Sequence, residues 1–287
     1  MRVLAVCAIA FASALTACRG SSQQAVTATA PPPDPLLVQA RDSLKRAETA
    51  PVPTPPPPPS PLPRGWKPVP APELKPEEVE AIRLLEQAAA AQPTQRDAHE
   101  LLARTLEPYA LRQHERALAA RGKKAPLPNP PDQGVDASPA RVARAYRAAI
   151  EAGAGTNLIE PLIAFAGRVD DLGNMDWAYQ ELIRRAREKD TVAPRIRYGD
   201  FLRERRRDVL AAAEAYREAL IWAPEDGVTG AKLADIYLEL ARQHYAKREY
   251  AGAEVRIAEA AKYVGDPASP QGVMLADYRQ RLADIRQ

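Results

Sequence analysis

The stretch AAAEAYREALIWAP at residues 211–224 sets the fold of this chain. Ala212, Tyr216, Ala219 and Leu220 recur at helical spacing, and Pro224 closes the run where a helix must stop. Ahead of it, Tyr198, Gly199 and Leu202 share one face of a preceding helix. Stepping back 34 residues from Ala212 and Tyr216 reaches Ala178 and Leu182. Their preceding helix supplies Leu162, Phe165, Ala166 and Val169, with Gly173 expected in the turn. Stepping forward takes 41 residues, to Ala253, Ile257 and Ala260, preceded by Tyr237, Leu240, Ala241 and His244, with Tyr250 opening the second helix. The extra seven residues are about two helical turns and keep the same face inward, so the spacing predicts a lengthened first helix rather than a loop insertion. Toward the N-terminus, Ala81, Leu85, Ala88 and Pro93 repeat the second-helix spacing, and His99, Leu102, Ala103 and Leu106 the first-helix spacing. Residues 123–137, with Pro126, Pro128, Pro130, Pro131 and Gly134, can only be a loop, after which Val142, Tyr146 and Ala149 resume the pattern.

A period near 34 residues, with a small residue, an aromatic, a small residue and a closing proline in its second half, resembles the tetratricopeptide repeat. The likeness runs over residues 77–264. It departs from the family at the fourth repeat position, where Leu162, Ile196 or Tyr237 replaces the usual tryptophan. It implies an all-α solenoid of antiparallel helix pairs over residues 77–287, with a loop insert at 122–138 and an end helix at 270–287. In this family the first helices line a concave surface that grips a peptide or helix of another protein. The family's groove positions fall here on Ile163, Asp170 and Asp171, then Ile196, Asp200 and Arg203, then Asp235, Leu238, Arg242 and Tyr245. Arginine and tyrosine are frequent anchors of interfaces. Asp200, Arg203, Arg242 and Tyr245 are therefore the expected partner-binding residues.

The first residues read as an address. Met1 and Arg2 precede an apolar run over residues 3–15 that is too short to span a bilayer, which is the layout of a secretory signal over residues 1–17. Leu15, Thr16, Ala17 and Cys18 resemble the lipobox of bacterial lipoproteins. The resemblance implies cleavage after Ala17 and acylation of Cys18, hence a lipid anchor with several chains, enough for stable membrane attachment. Arg19 stands where the inner-membrane retention signal of Gram-negative lipoproteins is aspartate, which points to the outer membrane, facing the periplasm.

Of the 29 prolines, 17 lie between Pro31 and Pro76. Proline fixes φ and lacks an amide donor, so such runs favour extended, solvated polyproline II at about 3.1 Å per residue. Residues 18–76 are expected to be a disordered tether, with 51–76 alone reaching roughly 80 Å. Within it, Leu36, Leu37, Ala40, Leu44 and Ala47 recur at helical spacing, so residues 34–50 can hold a short amphipathic helix, marginal by itself.

The remaining composition argues against chemistry. A net charge of +3 from 40 basic and 37 acidic residues predicts no general attraction to nucleic acid. The cluster Arg203, Arg205, Arg206 and Arg207 is interleaved with Glu204 and Asp208 and reads as a solvated helix end. Cys7 and Cys18 are the only cysteines, so the repeats contain no disulfide and no thiolate metal site. His99, His114 and His244 sit in no metal-ligand spacing, and no phosphate loop, dinucleotide fingerprint or nucleophile elbow is present. The expected function is a non-enzymatic scaffold of the bacterial envelope, without cofactor or small-molecule substrate, serving outer-membrane, pilus or secretion assembly. The alternative is a peptidoglycan-associated module or a regulator of a cell-wall enzyme.

Overall fold

The computed structural model describes residues 34–55, 57, 58, 60, 73–121 and 133–286. The signal, Cys18 and the prolines at 126–131 lie outside the described residues. Every regular element in the described residues is helical: α1 Pro35–Thr49, α2 Pro76–Ala91, α3 Arg96–Arg121, α4 Pro139–Glu151, α5 Ile159–Arg168, α6 Leu172–Arg185, α7 Val192–Phe201, α8 Val209–Trp222, α9 Gly227–Ala246, α10 Tyr250–Ala261 and α11 Pro270–Arg286. They pack as consecutive pairs, α1 with α2 through α9 with α10, each pair resting on the next, and α11 lies against α9 and α10. This is the α-solenoid that the 34-residue spacing predicts.

The small residues of the repeat explain how the pairs close. Ala178, Ala212 and Ala253 of the second helices are fully buried, as are Ala166 and Ala241 on the first helices. Helix axes can approach closely only where no side chain intervenes, and Phe165, Tyr146 and Tyr216 fill the space between. The extra seven residues of the last repeat lengthen α9 to 20 residues, as predicted.

One turn recurs three times. Asp170, Arg207 and Arg248 take left-handed conformations, with φ of 58°, 58° and 61°. The next residue's N–H then bonds back to a first-helix carbonyl: Asp171 to Ala166, Asp208 to Leu202 and Glu249 to His244. That 6→1 bond satisfies a carbonyl that the helix end would otherwise leave unpaired. The bond spans five residues in the first and last case and six in the middle one. The additional residue is taken up by a π-helical turn, Leu202–Arg206. Gly173 is not in the turn, as expected from sequence, but inside the first turn of α6. Asp171 and Asp208 also accept the N–H groups of Asn174 and Ala211 at 3.0 Å each, capping α6 and α8.

The tether expectation is corrected at α1. Leu37, Ala40, Ser43 and Ala47 of this helix are buried, and it pairs with α2 as the first helix of the first repeat. Packing of its apolar stripe overcomes the marginal stability of a short isolated helix. The Lys75 ammonium bonds the carbonyls of Ala47 and Ala50 at 2.5 and 2.8 Å, so the chain leaves α1 and re-enters α2 at one place. Ala50 and Lys75, which flank the proline-rich stretch, are thus held together, so the length of that stretch does not separate α1 from α2. The foot of the second insert meets the foot of this one, where the Gln133 amide exchanges two hydrogen bonds with the Leu74 backbone at 3.0 and 2.9 Å.

Candidate functional site: the first-helix face

The first helices α5, α7, α9 and α11 are tied to one another by three polar links. Arg197 of α7 donates to both carboxylate oxygens of Glu160 on α5, at 2.6 and 2.7 Å. Lys232 of α9 donates to both oxygens of Asp200 on α7, at 2.6 and 2.8 Å. Gln271 of α11 donates to Asp235 of α9 at 2.9 Å. Each link joins one repeat to its successor, so this face is held in register by side chains as well as by the core.

A second set of bonds ties first helices to their own partners. The Tyr216 hydroxyl donates to Asp200 at 2.6 Å, and the Tyr146 hydroxyl to Glu107 at 2.5 Å. Burial, reinforced by the adjacent carboxylate, pushes both phenols far above their ordinary range, so they remain donors at any physiological pH.

These geometries sort the four expected binding residues. Asp200 is half-buried and engaged by Tyr216 and Lys232 together, so it organises the face rather than standing open to a partner. Tyr245 packs edge-on against Tyr250 and Tyr278 at 5.7 and 6.2 Å, because α11 lies over it. Sequence spacing alone could not place α11 there. Arg203, half-buried in the π turn one helical turn on from Asp200, has no hydrogen-bond or salt-bridge partner among the described residues, and neither has the exposed Arg242. The other family positions are largely consumed by the fold: Ile163 and Leu238 are buried, Asp170 binds Arg205 at 2.6 Å, and Asp171 caps α6. In the basic cluster Arg206 is likewise paired, with Asp176 at 3.2 Å. His244 binds Glu249 at 2.7 Å and makes no metal cluster, and no group of metal ligands occurs among the described residues.

Sequence reasoning missed a cleft of about 540 Å³ between α3 and α5, lined by Arg104, Glu107, Leu111, Arg112, Tyr146 and Arg168. Pro108 sits in its wall, inside α3, and supplies no N–H to the Arg104 carbonyl. The signal was present, since Ala103 marks the register from which these positions follow, but the insert after α3 hid the pairing. None of the described helices is long and apolar enough to cross a membrane.

The Glu160–Arg197 link gives a pH prediction. The bidentate Arg197 guanidinium holds the Glu160 carboxyl below its ordinary range, against the opposing effect of burial. A carboxylate depressed in the folded state stabilises above its unfolded pKa and loses that contribution as pH falls through its folded value. Thermal melts are therefore expected to drop on acidification below the usual glutamate range. The drop should be shallower in a Glu160→Gln variant; identical pH profiles for the two proteins would count against the link.

No family model matches the sequence, and no curated protein matches it. Similar solved structures include MamA, at 15% identity and a TM-score of 0.32 over 65% of this chain and 92% of that one. PilF of Pseudomonas aeruginosa is 14% identical with a TM-score of 0.30, over 87% of this chain and 82% of its own. Cut9 in the APC/C Cut9–Hcn1 hetero-tetramer structure is 16% identical with a TM-score of 0.30, over 71% of this chain and 39% of that chain.

Proposed function

We propose that the chain is a non-catalytic adaptor of the bacterial envelope, anchored through lipid on Cys18, that holds a protein or peptide partner on the first-helix face. The observation that carries this reading is the pair Arg203 and Arg242, which have no hydrogen-bond or salt-bridge partner among the described residues, on a face where Asp200, Lys232 and Asp235 are engaged. A guanidinium with free donors can take a carboxylate or backbone carbonyl, and the helices that carry it are already held in register. Outer-membrane residence follows from Arg19, and assembly of an outer-membrane, pilus or secretion machine is the process that such a display would serve. With α1 packed, only residues 19–33 separate Cys18 from the folded helices, which favours partners close to the membrane surface.

The test is crosslinking capture from envelope fractions with the full chain, beside an Arg203→Ala/Arg242→Ala variant and a Cys18→Ser variant. A protein captured by the first and lost from the second, with an unchanged melting temperature, supports the groove. Loss of the Cys18→Ser protein from the membrane fraction supports the anchor. Equal capture by the arginine variant, or sedimentation of the chain with purified cell-wall sacculi in place of any protein, overturns the groove reading.

A further inference from the structure

The second helices of the repeats turn their outer faces to solvent, and α8 differs from its equivalents. Its outward stripe is Leu210, Glu214, Arg217 and Ile221, at spacings of four, three and four residues. Leu210 is 58% and Ile221 72% exposed. The same register falls on Ala140 and Glu151 in α4, and on Asp176 in α6 and Arg187 beyond its end, so neither of these helices carries the exposed branched ends of α8. Glu214 and Arg217 pair with each other at 3.1 Å in the middle of the stripe, both side chains at least half exposed.

The stripe is symmetric about the point between Ala215 and Tyr216. Leu210 and Ile221 lie equally far from it, as do Glu214 and Arg217. Four-three spacing is the seam along which two helices pack at a shallow angle. When a second copy of α8 runs antiparallel across that seam, Leu210 meets the partner's Ile221 and Glu214 meets the partner's Arg217. Each contact is then made twice. A two-fold interface requires this self-complementarity, in which one patch supplies both halves.

We propose that this chain self-associates through α8, forming a two-fold antiparallel dimer in which Leu210–Ile221 contacts flank a four-charge network of Glu214 and Arg217. The occupant is a second copy because the charges are complementary only in that arrangement: a parallel pairing would set like charges against each other. The half-exposed Trp222, at the same end as Ile221, adds apolar area beside the seam. A single helix pair buries less than a standard interface, so the dimer is a weak, concentration-dependent one. The inference is independent of the first-helix face, which lies on other helices and stays open in the dimer.

Sedimentation equilibrium of the full chain tests it. The wild type should fit a monomer–dimer equilibrium, and Leu210→Glu should weaken it. Glu214→Arg alone sets arginine against arginine twice, and Arg217→Glu alone sets glutamate against glutamate twice. Each should reduce the association constant at least about tenfold. In an equimolar mixture of these two variants the mixed dimer has two complementary contacts, so association should return toward the wild-type value. Unchanged melting temperatures would show that the variants fold, which matters for Arg217 because it also interacts with Tyr237. A wild type that remains monomeric up to millimolar concentration, single variants that associate as tightly as wild type, or a mixture that fails to recover would each overturn the proposal.

Discussion

Replacing Arg185 with methionine is expected to destabilise the protein by about 2–4 kcal/mol, given roughly 1.5–3 kcal/mol for each hydrogen bond to a charged group. It should also split a single unfolding transition into two. Arg185 lies at the end of α6, four-fifths buried, and its guanidinium donates to the carbonyls of Ala154 and Ile150, the latter at 2.7 Å. Those carbonyls belong to the C-terminal end of α4 and the loop beyond it, so one side chain from the third repeat closes a helix of the second. Glu181 steers the guanidinium through a 2.6 Å bond and is itself held below the ordinary carboxylate range, chiefly by its hydrogen bonds with Arg184 and then with Arg185. Methionine keeps the apolar stem but leaves the Ala154 carbonyl without its arginine donor and the Ile150 carbonyl with only backbone donors such as the Gly153 N–H at 3.2 Å. Stacked repeats are coupled only to their neighbours, so weakening one junction lowers cooperativity as well as stability. Hydrogen exchange followed through a denaturant series should show α1 to α4 opening before α5 to α11; one unshifted transition for all helices would contradict the role assigned to Arg185.

Gly199→Ala is the second large effect, expected to destabilise by about 1–3 kcal/mol as an overpacked core does. A Cβ at this position would lie 2.5 Å from Cε1 and 2.8 Å from Cδ1 of Tyr216. The ring has no room to retreat, because Tyr216 is fully buried and its hydroxyl is fixed on Asp200. Relief would have to come from separating α7 from α8, which also loosens Asp200 and the Lys232 link beyond it. Gly230→Ala provides the contrast. It lies in α9, and its added Cβ would meet only the Tyr263 carbonyl oxygen, at an ordinary 3.7 Å. There the higher helix propensity of alanine should prevail and stabilise by about 0.5–1 kcal/mol. Opposite signs in denaturant melts are the expected result. Equal signs would mean that propensity rather than the α7–α8 approach governs Gly199.

Gly199 also shows how local pattern becomes tertiary fact. Its place before the aromatic at 216 is visible in the sequence as a small residue in a repeating register, and the close approach is what that register produces in space. The same holds for Ala178, Ala212 and Ala253, whose burial follows from period alone. The lengthening of α9 was legible for the same reason, since two whole turns leave the inward face unchanged. The form of the turn ahead of Ala212, a π turn closed by left-handed Arg207, was not legible, because it depends on backbone hydrogen bonds that side-chain spacing does not encode.

The candidate site was legible in part. Family register brought Asp200, Arg203, Arg242 and Tyr245 to one set of helices, yet it could not tell which of them the fold itself would use. Asp200 and Tyr245 are engaged by Lys232, Tyr216 and α11, contacts between residues separated by up to 33 positions in the chain. The cleft between α3 and α5 went unseen because the insert at 122–138 separates α3 from its partner in sequence but not in space.

The sequence by itself determined the helical period, the small and aromatic positions that let neighbouring helices approach, and the closing proline after α8. These depend on residues within one repeat, where spacing along the chain and spacing in the helix are the same quantity. Only the tertiary structure decided that α1 belongs to the repeats rather than to a tether, that α11 covers Tyr245, and that Arg203 and Arg242 meet no salt-bridge partner among the described residues. Those outcomes turn on which distant side chain reaches a given group first, a competition among long-range contacts that periodicity in one dimension does not record.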